Sequence, residues 1–184
     1  MLYLDHAATT PMRPGVAEAM EPFLADRFGN PSGIHGISRG AKDALEDGRE
    51  RVAAVLGCRP LEVVFTGGGT ESDNLAVKGA ALAGGGRRGV VTVATEHEAV
   101  LESADFLGRM GCQVTVVGVD PLGRVDPDEM AGVVGSETAV VSVMWANNET
   151  GVIHSIEEIA AAVKAANPAT RFHTDAVQAA VSEP

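Results

Sequence analysis

Hydrophobic and polar positions follow two rhythms along this chain. Between about Arg39 and Leu56, Ala44, Leu45, Val52, Val55 and Leu56 recur at helical spacing. That spacing predicts an amphipathic helix, stopped by Gly57. Beyond it, short apolar runs alternate with helical patterns. Val63-Val64-Phe65, Val90 to Ala94, Cys112 to Val119 and Ala139 to Trp145 read as strands, and Arg171 to Asp175 begins another. Helices are predicted from Gly67-Gly68-Gly69-Thr70 to about Leu82, from His97 to Met110, from Asp126 to Val134 and from Ser155 to Ala166. Asp126 reads as a cap with Pro127 at the first helical position. Ser155-Ile156-Glu157-Glu158 reads as a capping box. Strands alternating with helices of this length predict an α/β fold on a mostly parallel sheet with helices on both faces. The first forty residues differ: Pro11, Pro14, Pro22, Pro31 and the run Gly29-Asn30-Pro31-Ser32-Gly33 predict an irregular, turn-rich segment.

Composition narrows the function classes. The 184 residues carry 14 Lys+Arg against 25 Asp+Glu, a net charge of −11. Phosphate backbones and anionic membranes both want a basic face, so neither nucleic acid nor a membrane surface is an expected partner. No apolar run approaches the roughly 18–20 residues of a membrane helix. The N-terminus lacks the basic and apolar regions of a signal peptide. Cys58 and Cys112 are too few for a disulfide framework and have no metal-ligand spacing. A cytoplasmic protein without a metal site is the expectation. Gly84 to Gly89 matches G-x-G-x-x-G, but it precedes a strand instead of opening a helix, so it reads as an exposed turn.

Candidate chemistry gathers where strands end, which is where α/β sheets bind ligands. Four polar clusters fall there: Thr66 to Asn74, Thr95 to His97, Asn147 to Thr150, and Asp175 to Gln178. The glycines before Thr70 let backbone N–H groups approach an anion at a helix N-terminus. A turn with a threonine cap is the alternative. His97 has the position to stack on a ring or shuttle a proton, or to start a helix flanked by Glu96 and Glu98. Asn147 and Asn148 suit either ligand orientation or a turn. Asp175 suits either a protonated heterocycle or a helix cap.

Taken in order, these residues resemble the cysteine desulfurases, pyridoxal 5′-phosphate (PLP) enzymes of the class-V aminotransferase group. The resemblance rests on Tyr3-Leu4-Asp5-His6-Ala7-Ala8-Thr9-Thr10-Pro11, on Gly29-Asn30-Pro31-Ser32 with His35, and on Phe65-Thr66-Gly67-Gly68-Gly69-Thr70-Glu71-Ser72-Asp73-Asn74. Thr95-Glu96-His97, Asn147-Asn148-Glu149-Thr150-Gly151 and His173-Thr174-Asp175-Ala176-Val177-Gln178 complete it. It implies the large domain of a fold-type-I PLP enzyme. Gly69, where the family more often has alanine, and Thr70 would hold the cofactor phosphate. His97 would stack on the ring and move protons, and Asn148 and Gln178 would bond its phenolic oxygen. Asp175 would pair with the pyridinium nitrogen, since an anion there keeps the ring an electron acceptor. The implied reaction turns L-cysteine into L-alanine and leaves a persulfide for iron–sulfur clusters or thio-cofactors. The implied partners are a sulfur acceptor or scaffold protein and a second copy in a homodimer.

The family's Schiff-base lysine, persulfide cysteine and carboxylate-binding arginine all follow the Asp175 motif. Lys42, Lys78 and Lys164 are the only lysines, and none aligns with the first; neither Cys58 nor Cys112 aligns with the second. The expectation is therefore an N-terminal part of such an enzyme, inactive without the C-terminal part. Residues 1–40 are read as an irregular segment with substrate-side loops, and 41–184 as an incomplete PLP-binding large domain. A non-catalytic module that binds PLP or a partner, and a related enzyme such as a selenocysteine lyase, are the alternatives.

Overall fold

The computed structural model describes residues 2–180. Two compact units divide after Phe65, rather than near residue 40.

The first unit, Met1–Phe65, holds α1 (Pro14–Leu24) and α2 (Gly36–Leu56), then a short 3₁₀ turn at Pro60–Glu62. The segment expected to be irregular thus contains an 11-residue helix. Pro14 starts it at the first helical position, where a missing N–H costs nothing, and Ala17, Glu18, Ala19, Met20 and Glu21 are good helix formers. α2 ends on Gly57, whose φ of 65° puts it in the left-handed region glycine tolerates. Ser38, fully buried, sits so close to Gly33 that a Cβ there would collide with its hydroxyl oxygen. Val63-Val64-Phe65 forms no strand and pairs with none among the described residues, contrary to the predicted strand. It is tied to α2 instead. Arg49 bonds the Val63 carbonyl, and its guanidinium lies 5.0 Å from the Phe65 ring centre.

The second unit, Thr66–Pro184, is the expected α/β layer structure. Its elements are α3 (Gly69–Leu82), β1 (Gly89–Val93), α4 (Glu98–Arg109), β2 (Gln113–Val117), α5 (Pro127–Gly132), β3 (Thr138–Ser142), α6 (Ile156–Ala166) and β4 (Arg171–His173). The four strands pair in the order β2-β1-β3-β4, each pair parallel. β1 and β3 are buried along their full length, which is why they are valine-rich and do not alternate strictly between apolar and polar residues. Their side chains still part to opposite faces. Val90 and Val140 meet Val77 of α3 and Val100 and Leu107 of α4. Val91, Val93, Val141 and Val143 meet Met130 of α5 and Ile159 and Val163 of α6.

Two caps separate the sequence reading from the structure. Asp126 accepts a hydrogen bond from the Asp128 N–H at 2.8 Å, as its position before Pro127 predicts. Ser155 makes no side-chain cap to α6, so the predicted capping box is not formed. The Ser155 backbone carbonyl takes the Ile159 N–H, so the helix begins on its backbone alone.

Candidate functional site

Parallel strands all point their carboxyl ends the same way, so the loops after β1, β3 and β4 collect at one edge of the second unit. Three of the four predicted clusters are these loops. The fourth, Thr66 to Asn74, follows no strand and runs directly into the first turns of α3.

The α3 N-terminus is shaped by its own side chains. Thr66 donates to the Gly68 carbonyl at 3.1 Å and shares a 2.6 Å hydrogen bond with Ser72. The Gly67 N–H is taken by the Glu71 carboxylate at 2.6 Å. The first helical N–H groups, at Gly69 and Thr70, have no partner inside the helix and lie at its positive end. A Cβ on Gly69 would lie 3.1 Å from Val177 Cγ2. The loop is thus seated against the Asp175 segment.

His97 caps α4, its Nδ1 accepting the Ala99 N–H at 3.1 Å. Its side chain remains exposed and lines an open cleft of about 480 Å³ with Thr95, Glu96, Asn147, Asn148 and Thr150. Asn147 builds the far wall. Its amide donates to the Thr95 carbonyl at 2.8 Å, and its oxygen accepts the Thr150 N–H at 2.7 Å. Asn147 therefore joins the β3 loop to the β1 loop, and it leaves Asn148 exposed at the cleft. Asp175 is buried, and its Oδ1 accepts the Val177 N–H at 2.9 Å. Its carbonyl accepts the Trp145 N–H at 2.9 Å, which ties the β4 loop to the β3 loop. Gln178 is half-buried three residues on. His97 and Asn148 thus share the cleft, and Gly69 adjoins the Asp175 loop through Val177. None of Gly69, Thr70, Asp175 and Gln178 lines that cleft.

Sequence reading missed what lies beneath these loops. Ser142 and His173 are register partners in β3 and β4, so their side chains share a face. The Ser142 hydroxyl lies 2.9 Å from His173 Nδ1 and 2.7 Å from Glu96 Oε1. His173 Nε2 is 3.7 Å from the carboxylate of Asp73, on α3. Glu96, Asp73, Ser142 and Asp175 are all buried. Burial pushes the Glu96 carboxyl up to about 7. The Ser142 hydrogen bond opposes that rise, the charges of Asp175 and Asp73 add to it, and a backbone hydrogen bond from Met144 opposes it more weakly. Burial, then the Asp175 charge, push Asp73 up to about 6, with His97 opposing. Burial holds His173 below the usual imidazole range, with Asp175 pulling the other way. The one available signal was Ser142, a polar residue inside the apolar run from Ala139 to Trp145.

A phosphate-sized anion suits the α3 N-terminus, a buried carboxylate suits a cationic ring nitrogen, and an exposed imidazole suits a ring face. The donor set therefore fits a phosphorylated pyridine. The hydroxyls of Thr95 and Thr174, on either side of the β3 loop, are buried without a hydrogen-bond partner, so this edge keeps unspent polar capacity. None of the three lysines lines the cleft. Lys78 sits over the Phe106 ring, and Lys164 bonds the Thr170 carbonyl at 2.6 Å.

A parallel α/β unit with polar loops at the carboxyl edge of its sheet has the architecture in which α/β folds bind ligands. The chain belongs to the aminotransferase class-V family, whose pattern it matches over residues 2–184. It is 46% identical over 178 residues to the cysteine desulfurase IscS of Dictyoglomus turgidum, covering 96% of this chain and 45% of that protein. It is 44% identical over 179 residues to the cysteine desulfurase IscS of Methanosarcina thermophila, covering 97% and 44%. Among solved structures, a NifS-like protein superposes with a TM-score of 0.90 at 40% identity, over 95% of this chain and 48% of the other. SspA in complex with cysteine gives 0.90 at 35%, over 96% and 51%. The chain spans about half the length of the curated relatives it matches.

Proposed function

We propose that the carboxyl edge of the second unit holds PLP, and that the chain is the N-terminal, cofactor-binding part of a cysteine desulfurase. The reaction is conversion of L-cysteine to L-alanine with the sulfur passed on as a persulfide to an acceptor or scaffold protein. What supports this reading is that the loops carrying His97 and Asp175 leave the same edge of the parallel sheet and that Gly69 lies against Val177 of the Asp175 loop, in a chain of this family. When bound, PLP supplies an electron sink for a carbanion at the substrate Cα.

Each residue's part follows from its surroundings. The Gly69 and Thr70 N–H groups, with the Thr70 hydroxyl, hold the phosphate at the positive end of α3. Asp175, kept in place by the Val177 N–H, holds a proton on the ring nitrogen by presenting a buried negative charge. His97 keeps its Nδ1 on the Ala99 N–H, which leaves Nε2 toward the cleft to stack on the ring and carry a proton. Asn148 and Gln178 orient the ring by bonding its phenolic oxygen. The covalent lysine, the persulfide cysteine and the arginine for the substrate carboxylate are read as belonging to the part of the relatives outside the match. The cytoplasm and a homodimer complete the reading.

Trp145 is the only tryptophan and its backbone bonds Asp175, so it reports on the site. PLP should quench its fluorescence saturably. In the protein completed with its lysine and cysteine, Asp175→Ala should lower alanine release by about a hundredfold or more, the scale of losing a preorganised charge. Wild-type turnover in that variant would remove the electron-sink role.

A further inference from the structure

Beneath the loops lies a group of buried polar side chains that the proposed reaction does not use. Glu96 Oε1 meets the Ser142 hydroxyl at 2.7 Å, and that hydroxyl meets His173 Nδ1 at 2.9 Å. Glu96 Oε2 is buried with no hydrogen bond of normal geometry; the Met144 backbone N–H favours the ionised carboxylate, against burial and the charges of Asp175 and Asp73. An ionised carboxylate with one oxygen bare in the interior is costly, whereas a neutral carboxyl leaves only a carbonyl unpaired. Negative charges crowd the same place. Asp73 approaches from α3 and Asp175 from the loop after β4, while His173 faces it from β4 and His97 adjoins it. Like charges so close do not all ionise together. Glu96 also lines the open cleft, which gives its proton a route to solvent.

We propose that Glu96, linked through Ser142 to His173, is the proton store of this site: it holds a proton while the cleft is empty and releases it when a cationic ring binds beside Asp175. The inference rests on reading the edge as a PLP site. Its logic is charge balance. With Glu96 neutral, the negative charge of the cluster rests on Asp175 and Asp73, and the ring nitrogen is expected beside Asp175. A bound cation then favours ionisation of the carboxyls around it, so a proton passes from the Glu96 carboxyl to a buffer base. The Ser142 hydroxyl reverses with it. It donates to His173 Nδ1 while Glu96 is protonated and to Glu96 Oε1 once Glu96 is ionised, so the His173 tautomer follows the Glu96 proton. Glu96 is a positioning residue in this scheme, because it touches neither substrate nor ring.

The test has a ligand-free arm and a binding arm. Infrared difference spectra between about pH 6 and pH 9 should show a protonated buried carboxyl in the wild type that Glu96→Gln lacks. Absence of that band from the wild type, or its persistence in E96Q, overturns the store. Histidine ¹⁵N spectra should show His173 responding over the same pH range, and Ser142→Ala should abolish the response while keeping the infrared band. A His173 response that survives in S142A overturns the linkage. Pyridoxamine 5′-phosphate, which has no aldehyde, is then bound at about pH 7 in buffers of different ionisation enthalpy. The wild type should release more protons than E96Q, the excess being no more than one per site. The E96Q affinity should stay within about threefold of wild type. Equal proton counts overturn the coupling. Failure of the probe to bind the wild type removes the PLP reading and the coupling with it, while the infrared arm still decides whether Glu96 stores a proton.

Discussion

The two faces of the sheet are built from the same two strands and do opposite work. On the α5/α6 face, Val91, Val93, Val141 and Val143 close a wholly apolar core with Met130, Ile159 and Val163. On the α3/α4 face, Val90 and Val140 start an equivalent core. One step further along β3, two residues on, the side chain is Ser142, and around it stand His173, Asp73 and Glu96. One face is uniform to its end. The other exchanges apolar burial for a charged cluster on the side where the loops gather. The difference separates what holds the unit together from what equips it.

The contrast is broken most severely from the apolar side. Ile159→Ala removes a fully buried side chain from the α5/α6 core. It should cost about 2–5 kcal/mol in denaturant unfolding and leave pyridoxamine 5′-phosphate affinity unchanged at temperatures where the chain stays folded. A comparable loss of affinity would mean that the two faces are not independent.

The polar face should show itself through pH. The native Glu96 value of about 7 lies above its ordinary 4.5, so the folded state holds a proton that the unfolded chain has lost. The associated stability is complete below about pH 4.5 and is lost as pH rises through about 7. The upper bound is roughly 3 kcal/mol from the size of the shift. Asp73 acts in the same direction. His173, held low, opposes them by losing stability as pH falls. Glu96→Gln should remove the Glu96 part, so the stability difference between variant and wild type should climb across this window. A flat difference would place Glu96 in contact with water.

The smallest effects sharpen the comparison at the helix starts of the apolar face. Asp126→Ala should cost about 1 kcal/mol, because its carboxylate caps α5. Ser155→Ala should change thermal stability by less than about 0.5 kcal/mol, because its hydroxyl caps nothing. A loss at Ser155 equal to that at Asp126 would restore the predicted capping box.

Much of the second unit was legible because burial leaves a mark on composition. β1 and β3 are buried at every position and each centres on a pair of valines, and Asp126-Pro127 and Gly57 carry their own stereochemistry. The misses share a cause. Val63-Val64-Phe65 has the residues of a strand but no neighbour to pair with among the described residues, and pairing is not local. α1 was hidden because its prolines read as breaks, although Pro14 sits where a helix accepts one and the helix runs on past Pro22. In the site, His97, Asn148 and Asp175 stood out as polar residues following apolar runs. Asn147 gave no sign of bridging to the Thr95 carbonyl, 52 residues away.

The sequence by itself determined the α/β alternation, the family and the residues offered at the loops, because each is a local pattern of polarity, caps and glycines. Only the tertiary structure decided that Ser142 and His173 are register partners, and that Asp73 and Glu96 are brought to them from α3 and the β1 loop. Strand register and helix packing are long-range choices, set by which faces bury together. Those choices place four titratable or hydroxyl side chains from separate segments in a single cluster beside Asp175.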